Sequence, residues 1–177
     1  MNPIKEYDQI NEAGEFKRLP AGIYGVKITN VVDRPDLEYL EVYCDIVKGE
    51  YANYFKNMVD AGFKDRSLHI RSYKQKALPF FKAFITAVEK TNPGYKWDWD
   101  ETELIGKKVI AVVGEEEYRD ADGNVKVGTK IVEFRSKEAY DNGKIKVPEL
   151  KKLPAEEAPA APAAQDTLTI LDEDLPF

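Results

Sequence analysis

A mainly β fold is predicted for this chain by three features. Apolar residues recur with period two over most of residues 20–153, clusters of Gly, Pro, Asn and Asp punctuate those runs, and a single long helical pattern interrupts them. The elements follow in order. Gly22–Val32 is rich in β-branched residues, with Val26, Ile28 and Val32 recurring on one face, and Arg34-Pro35-Asp36 supplies turn chemistry. Tyr39–Val47 alternates cleanly, Leu40, Val42, Cys44 and Ile46 pointing one way and Tyr39, Glu41, Tyr43 and Asp45 the other. Lys48-Gly49-Glu50 reads as a tight connection into a third strand, Tyr51–Val59. The helical pattern covers roughly Tyr73–Glu89, where Leu78, Phe81, Ile85 and Val88 keep the three/four spacing of one apolar face. Pro79, tolerated only in a first turn, moves its start toward Ala77, and Asn92-Pro93-Gly94 ends it. Lys107–Tyr118 and Val125–Arg135 are the fourth and fifth strands, joined by a hairpin-type turn at Asp120-Ala121-Asp122-Gly123-Asn124, and a short helix is expected from Ser136. Five strands with one helix between the third and fourth is the order of a five-stranded OB-fold barrel, in which the helix plugs one end.

The 177 residues divide into an N-terminal extension (1–19) with a short helix expected around Ile4–Ile10, a folded body (20–153) and a tail (154–177). The tail opens on a Pro/Ala tract that can neither run as a helix nor bury a core, and a disordered acidic appendage is expected there. Six of the 32 acidic residues lie in it without any Lys or Arg, leaving the other 153 residues with 26 acidic against 26 basic side chains and the body close to neutral. Within that neutral body the stretch Lys56–Trp97 holds nine basic residues against Asp60, Asp65 and Glu89. A basic middle and an acidic tail predict a polyanionic partner and an autonomous acidic peptide.

Composition also excludes. The longest aliphatic run, Val109–Val113, is far short of a membrane span, and no basic-then-apolar leader opens the chain, so a soluble, cytoplasmic protein is expected. One Cys and one His leave no disulfide framework, no multi-cysteine zinc site and no His-based triad, and neither an enzyme nor a cofactor is expected. Glu115-Glu116-Glu117 cannot all converge on a metal, because successive strand residues face opposite ways. Asp120, Asp122 and Asn124 open like a calcium loop, but Ile131 stands where the closing glutamate would be required. Cys44, on the inward face, reads as a small core residue.

The last six residues are Asp172-Glu173-Asp174-Leu175-Pro176-Phe177. A terminal Phe ring can enter an apolar pocket while its own α-carboxylate meets an arginine, with the acids laid along a basic ridge. This ending resembles the C-terminal tip of bacterial and phage single-stranded DNA-binding proteins. The stretch from Ile70-Arg71-Ser72-Tyr73 to Phe84-Ile85, continuing through Asn92-Pro93-Gly94-Tyr95-Lys96-Trp97-Asp98, is similar to the OB-type single-strand binders of phages of Gram-positive bacteria, as are Leu19-Pro20-Ala21-Gly22 and Val147-Pro148-Glu149-Leu150. The resemblance implies single-stranded DNA binding with little sequence preference in replication and recombination, recruitment of replication or recombination proteins through the tip, self-association into a homo-oligomer, and, for a phage-encoded chain, the host bacterial cytoplasm. The alternative is a recombination mediator or adaptor with weak DNA affinity.

Non-specific single-strand binders combine cations that follow phosphates with aromatic faces on which bases stack. On that ground Lys56, Lys64, Arg66, Arg71, Lys74 and Lys76 are the candidate phosphate contacts, and Tyr73 and Trp97 the candidate stacking residues. Of Trp97 and Trp99, one is expected to pack on the helix and the other to lie exposed, while Phe80, Phe81 and Phe84 are expected in the core. Tyr39 and Tyr43 rank lower because Glu41 and Asp45 share their face; Lys126 and Lys130 would extend the cationic track, and His69 could donate to a phosphate.

Overall fold

The computed structural model describes residues 17–154; the expected N-terminal helix, nearly all of the Pro/Ala tract and the acidic tip lie outside the described residues. Five strands form one antiparallel sheet: β1 (Gly22–Arg34), β2 (Tyr39–Ile46), β3 (Leu68–Ser72), β4 (Lys108–Arg119) and β5 (Val125–Arg135). Their order is β3-β2-β1-β4-β5, so β3 and β5 are its two edges and the sheet is open rather than a closed barrel. Three α-helices accompany it: α1 (Tyr54–Asp60), α2 (Leu78–Thr91) between β3 and β4, and α3 (Lys137–Asp141) after β5, begun by the Ser136 side chain, which accepts the Ala139 N–H at 3.2 Å.

The alternation of β2 is realised as read. Leu40, Val42, Cys44 and Ile46 are buried, opposite Val26, Ile28 and Val31 of β1 and next to Val109, Ala111 and Val113 of β4. The Cys44 thiol is fully buried, which pushes its pKa up to about 12 and makes it an inert core group. Phe81, Phe84, Ile85 and Val88 of α2 close this core. The helix ends where Asn92 knots it to β4: its side-chain amide donates to the carbonyls of Val88 and Lys108, each at 2.7 Å, and its oxygen accepts the Lys108 N–H. Phe80, expected inside, is 41 % exposed, because α2 turns only one stripe inward and Phe80 precedes the buried Phe81 by a quarter turn.

The third strand is the main correction. Tyr51–Val59 is not extended but holds α1, and β3 lies about ten residues later. The helix is fixed from a distance. The Asp45 carboxylate turns off the sheet face and accepts the N–H groups of Phe55 (3.0 Å) and Lys56 (2.9 Å) in the first turn of α1, and of Ile46 (2.8 Å). Those are donors a short helix leaves orphaned. Phe55 is then buried and Met58 half-buried on the same side. The Asp120–Asn124 turn is a hairpin connection, as expected: the Asp120 carboxylate accepts the N–H groups of Asp122 and Asn124 and pairs with Lys126 at 2.7 Å, which holds it down at about pKa 2.

Candidate nucleic-acid interface

The register around β3 places its residues. Cross-strand partners share a face, so His69 and Arg71, opposite the buried Val42 and Leu40, point inward, while Leu68, Ile70 and Ser72 share the outer face with Tyr43, Glu41 and Tyr39. Arg71 was expected to meet phosphate at the surface. Its guanidinium instead lies 4.5 Å from the ring of Phe134 on β5 and 5.6 Å from that of Phe84 on α2, and its Nε is enclosed without a partner. His69 meets Phe134 edge-on at 5.7 Å, and its Nε2 is also enclosed without a partner. Both side chains therefore reach from β3 to Phe134 of β5 on the inner face. Burial lowers the pKa of Arg71 to about 10, so it stays charged at neutral pH.

Burial first, then the Arg71 charge, lowers the pKa of His69 to about 3. A depressed imidazole pKa favours the neutral form in the folded state, so native stability is lost as pH falls below the unfolded value near 6.5. His69 is the only histidine. Its imidazole C–H resonances are accordingly expected to stay flat in a proton NMR titration from pH 8 to pH 5. A midpoint near 6.5 in the folded protein would overturn this placement.

Tyr73, the leading stacking candidate, is half-buried and committed to the fold. Its hydroxyl donates to Asp33 at 2.9 Å and its ring stands edge-on to Phe81 at 5.9 Å. Burial and Asp33 together raise its pKa to about 12. Trp97, half-buried, continues the chain of rings: it meets Phe81 at 6.5 Å, and its backbone N–H donates to Glu89 at 3.0 Å. Trp99 completes it. The indole lies 6.1 Å from that of Trp97, is 82 % exposed, and sits on a residue with φ of 74°, left-handed backbone that a bulky side chain rarely adopts. One tryptophan packs on the helix and the other is exposed, as the sequence led us to expect. The loop is held at both ends, by buried Tyr95 and Leu104. The acids flanking Trp99 are used locally: Asp100 accepts the N–H and hydroxyl of Thr102, and Asp98 accepts the Asp100 N–H.

The cations fall into two groups. Lys74 and Lys76 lie exposed in the turn between β3 and α2, beside Tyr73, and Lys82 is exposed on α2 next to Phe81; none of the three forms an ion pair among the described residues. Lys64 and Arg66, both exposed, precede the other end of β3. Lys56 is on α1, beside Asp45 at the far end of β2 from Tyr73, and is bound to Asp60 at 2.5 Å. Lys126 and Lys130 do not extend the track as unpaired cations, since they hold Asp120 and Glu116 at 2.7 and 2.6 Å. The acids on the outer sheet face are likewise engaged: Arg34 grips Glu41 at 2.9 and 3.2 Å and holds its carboxyl below the usual range, Tyr43 donates to the same carboxylate, and Asp45 is consumed by α1.

The sequence predicts base stacking on Trp97, whereas the exposed indole is that of Trp99. Tip residues Asp172, Glu173, Asp174, Leu175, Pro176 and Phe177 lie outside the described residues. Among those described there is no cluster of three potential metal ligands and no helix long and apolar enough to cross a membrane. The three glutamates of β4 are tied to Arg18, to Lys130 and to the Leu153 N–H. No protein-family model matches the chain, and no curated protein matches it.

Proposed function

We propose that this protein binds single-stranded DNA without sequence preference, in replication or recombination, and recruits partner proteins through its acidic Leu-Pro-Phe ending. The observation that carries the reading is the run of rings Tyr73–Phe81–Trp97–Trp99, which ends on an almost fully exposed indole, with exposed Lys74 and Lys76 following Tyr73 in the chain and exposed Lys82 following Phe81. An exposed aromatic face and a set of unpaired cations are what a strand offering unstacked bases and phosphates requires. The OB reading belongs to the same proposal. The strand order is the one a five-stranded OB barrel would have were β3 and β5 to meet, and α2 stands between β3 and β4 as that fold needs. Self-association in the bacterial cytoplasm completes the proposal.

The test is retardation of labelled oligo-dT, with and without magnesium. Retardation without cleavage is expected. Cleavage in magnesium would mean a nuclease, and an unretarded oligonucleotide would leave the adaptor reading. The logarithm of affinity should fall with that of salt concentration, at a slope of about 0.7 per phosphate neutralised. Truncation after Leu153 removes six acidic charges tethered to a basic segment, so it should tighten binding, more at low salt than at high. Weaker binding by the truncated chain would show that the tail does not compete for the track.

A further inference from the structure

We infer that the free edge of β3 is a docking site for one segment of this chain's own tail, Thr167-Leu168-Thr169-Ile170-Leu171, added as an extra strand. The edge is a built one. Tyr73 donates its N–H to the Glu38 carbonyl and Cys44 donates to the Ser67 carbonyl, so the hydrogen-bonded pairs between β2 and β3 alternate through Leu40/Arg71 and Val42/His69. The N–H and C=O groups of Leu68, Ile70 and Ser72 therefore face away from β2, toward the opening between β3 and β5. Three alternate residues with unpaired backbone groups are a template for strand addition.

Charge selects the occupant. The charges that flank the edge strand are mostly of one sign. Lys64 and Arg66 precede the strand, and Lys74 and Lys76 follow it. The tail segment mirrors that pattern: Asp166 precedes it and Asp172, Glu173 and Asp174 follow. It is the longest run in the tail without Pro or charge, it is β-branched at three of five positions, and its five residues match the five of β3. The Pro/Ala tract cannot serve, since each Pro lacks a donor.

The reach is sufficient. Lys151 is bridged to Glu116 of β4, which faces Gly128 of β5, and Phe134, the residue that touches Arg71, lies six residues further along β5, a distance of ~20 Å. Twelve residues separate Pro154 from Thr167, enough to span ~40 Å when extended.

The test uses the full chain without DNA, so it stands apart from the DNA-binding proposal. Amide hydrogen exchange of Leu68, Ile70 and Ser72 is compared in the wild type and in Thr169→Pro, with buried β1 amides as the control for intact folding. The three amides should exchange at least tenfold more slowly in the wild type, at a ratio independent of protein concentration. Equal rates in the two proteins would overturn the docking. Protection that vanishes on dilution would overturn it too, by assigning the added strand to a second copy.

Discussion

Trp99→Ala is expected to weaken binding to single-stranded DNA by about 1–3 kcal/mol, roughly 5- to 150-fold in affinity, while leaving the fold intact. The two halves have separate causes. The side chain is 82 % exposed, so truncating it removes almost no buried area, and among the described residues its one ring contact is to Trp97. A base stacked on the indole would lose its whole platform. The backbone sharpens the test. At φ of 74° a residue with a Cβ carries strain of about 1–2 kcal/mol that glycine does not. Trp99→Gly should therefore keep the thermal midpoint of the wild type or raise it, and lose DNA affinity as Trp99→Ala does. Titration of fluorescent oligo-dT together with thermal unfolding of both variants measures the two quantities. Wild-type affinity in both would remove Trp99 from the interface. Tyr73→Ala and Trp97→Ala are weaker probes, since Tyr73 holds Asp33 and both rings pack on Phe81, so any loss of binding would mix with loss of structure.

The same distinction explains what the sequence made legible. Strands β1, β2, β4 and β5 and helix α2 announce themselves because their buried residues are apolar, so periodicity and burial coincide. Strand β3 breaks that link. Its inward residues are His69 and Arg71 and its outward ones Leu68, Ile70 and Ser72, so the polarity pattern reads inside out. Helix α1 was hidden for another reason: its first turn is capped by Asp45, nine residues earlier on β2, and no local residue carries that information. At the site, the sequence supplied the right neighbourhood, cations interleaved with rings from Lys56 to Trp99. It could not say which of them the fold consumes. Arg71, Tyr73 and Lys56 are committed to Phe134, Asp33 and Asp60, and the surface left over is Trp99 with Lys74, Lys76 and Lys82.

Phe84→Ala is expected to produce the largest loss of stability, about 3–5 kcal/mol. Phe84 is 2 % exposed, on the inward stripe of α2, and its ring meets Phe134 of β5 at 5.2 Å and the Arg71 guanidinium of β3 at 5.6 Å. Through it the helix touches both edge strands at once. Truncation leaves a cavity where α2, β3 and β5 converge, and it takes one of the two rings from the enclosed Arg71 cation. The loss should exceed that of Phe80→Ala on the same helix, because Phe80 is 41 % exposed and already outside the core. Urea unfolding of the two variants against the wild type makes the comparison. If Phe84→Ala and Phe80→Ala fall within 1 kcal/mol of each other, α2 is not what holds the two edges of the sheet together.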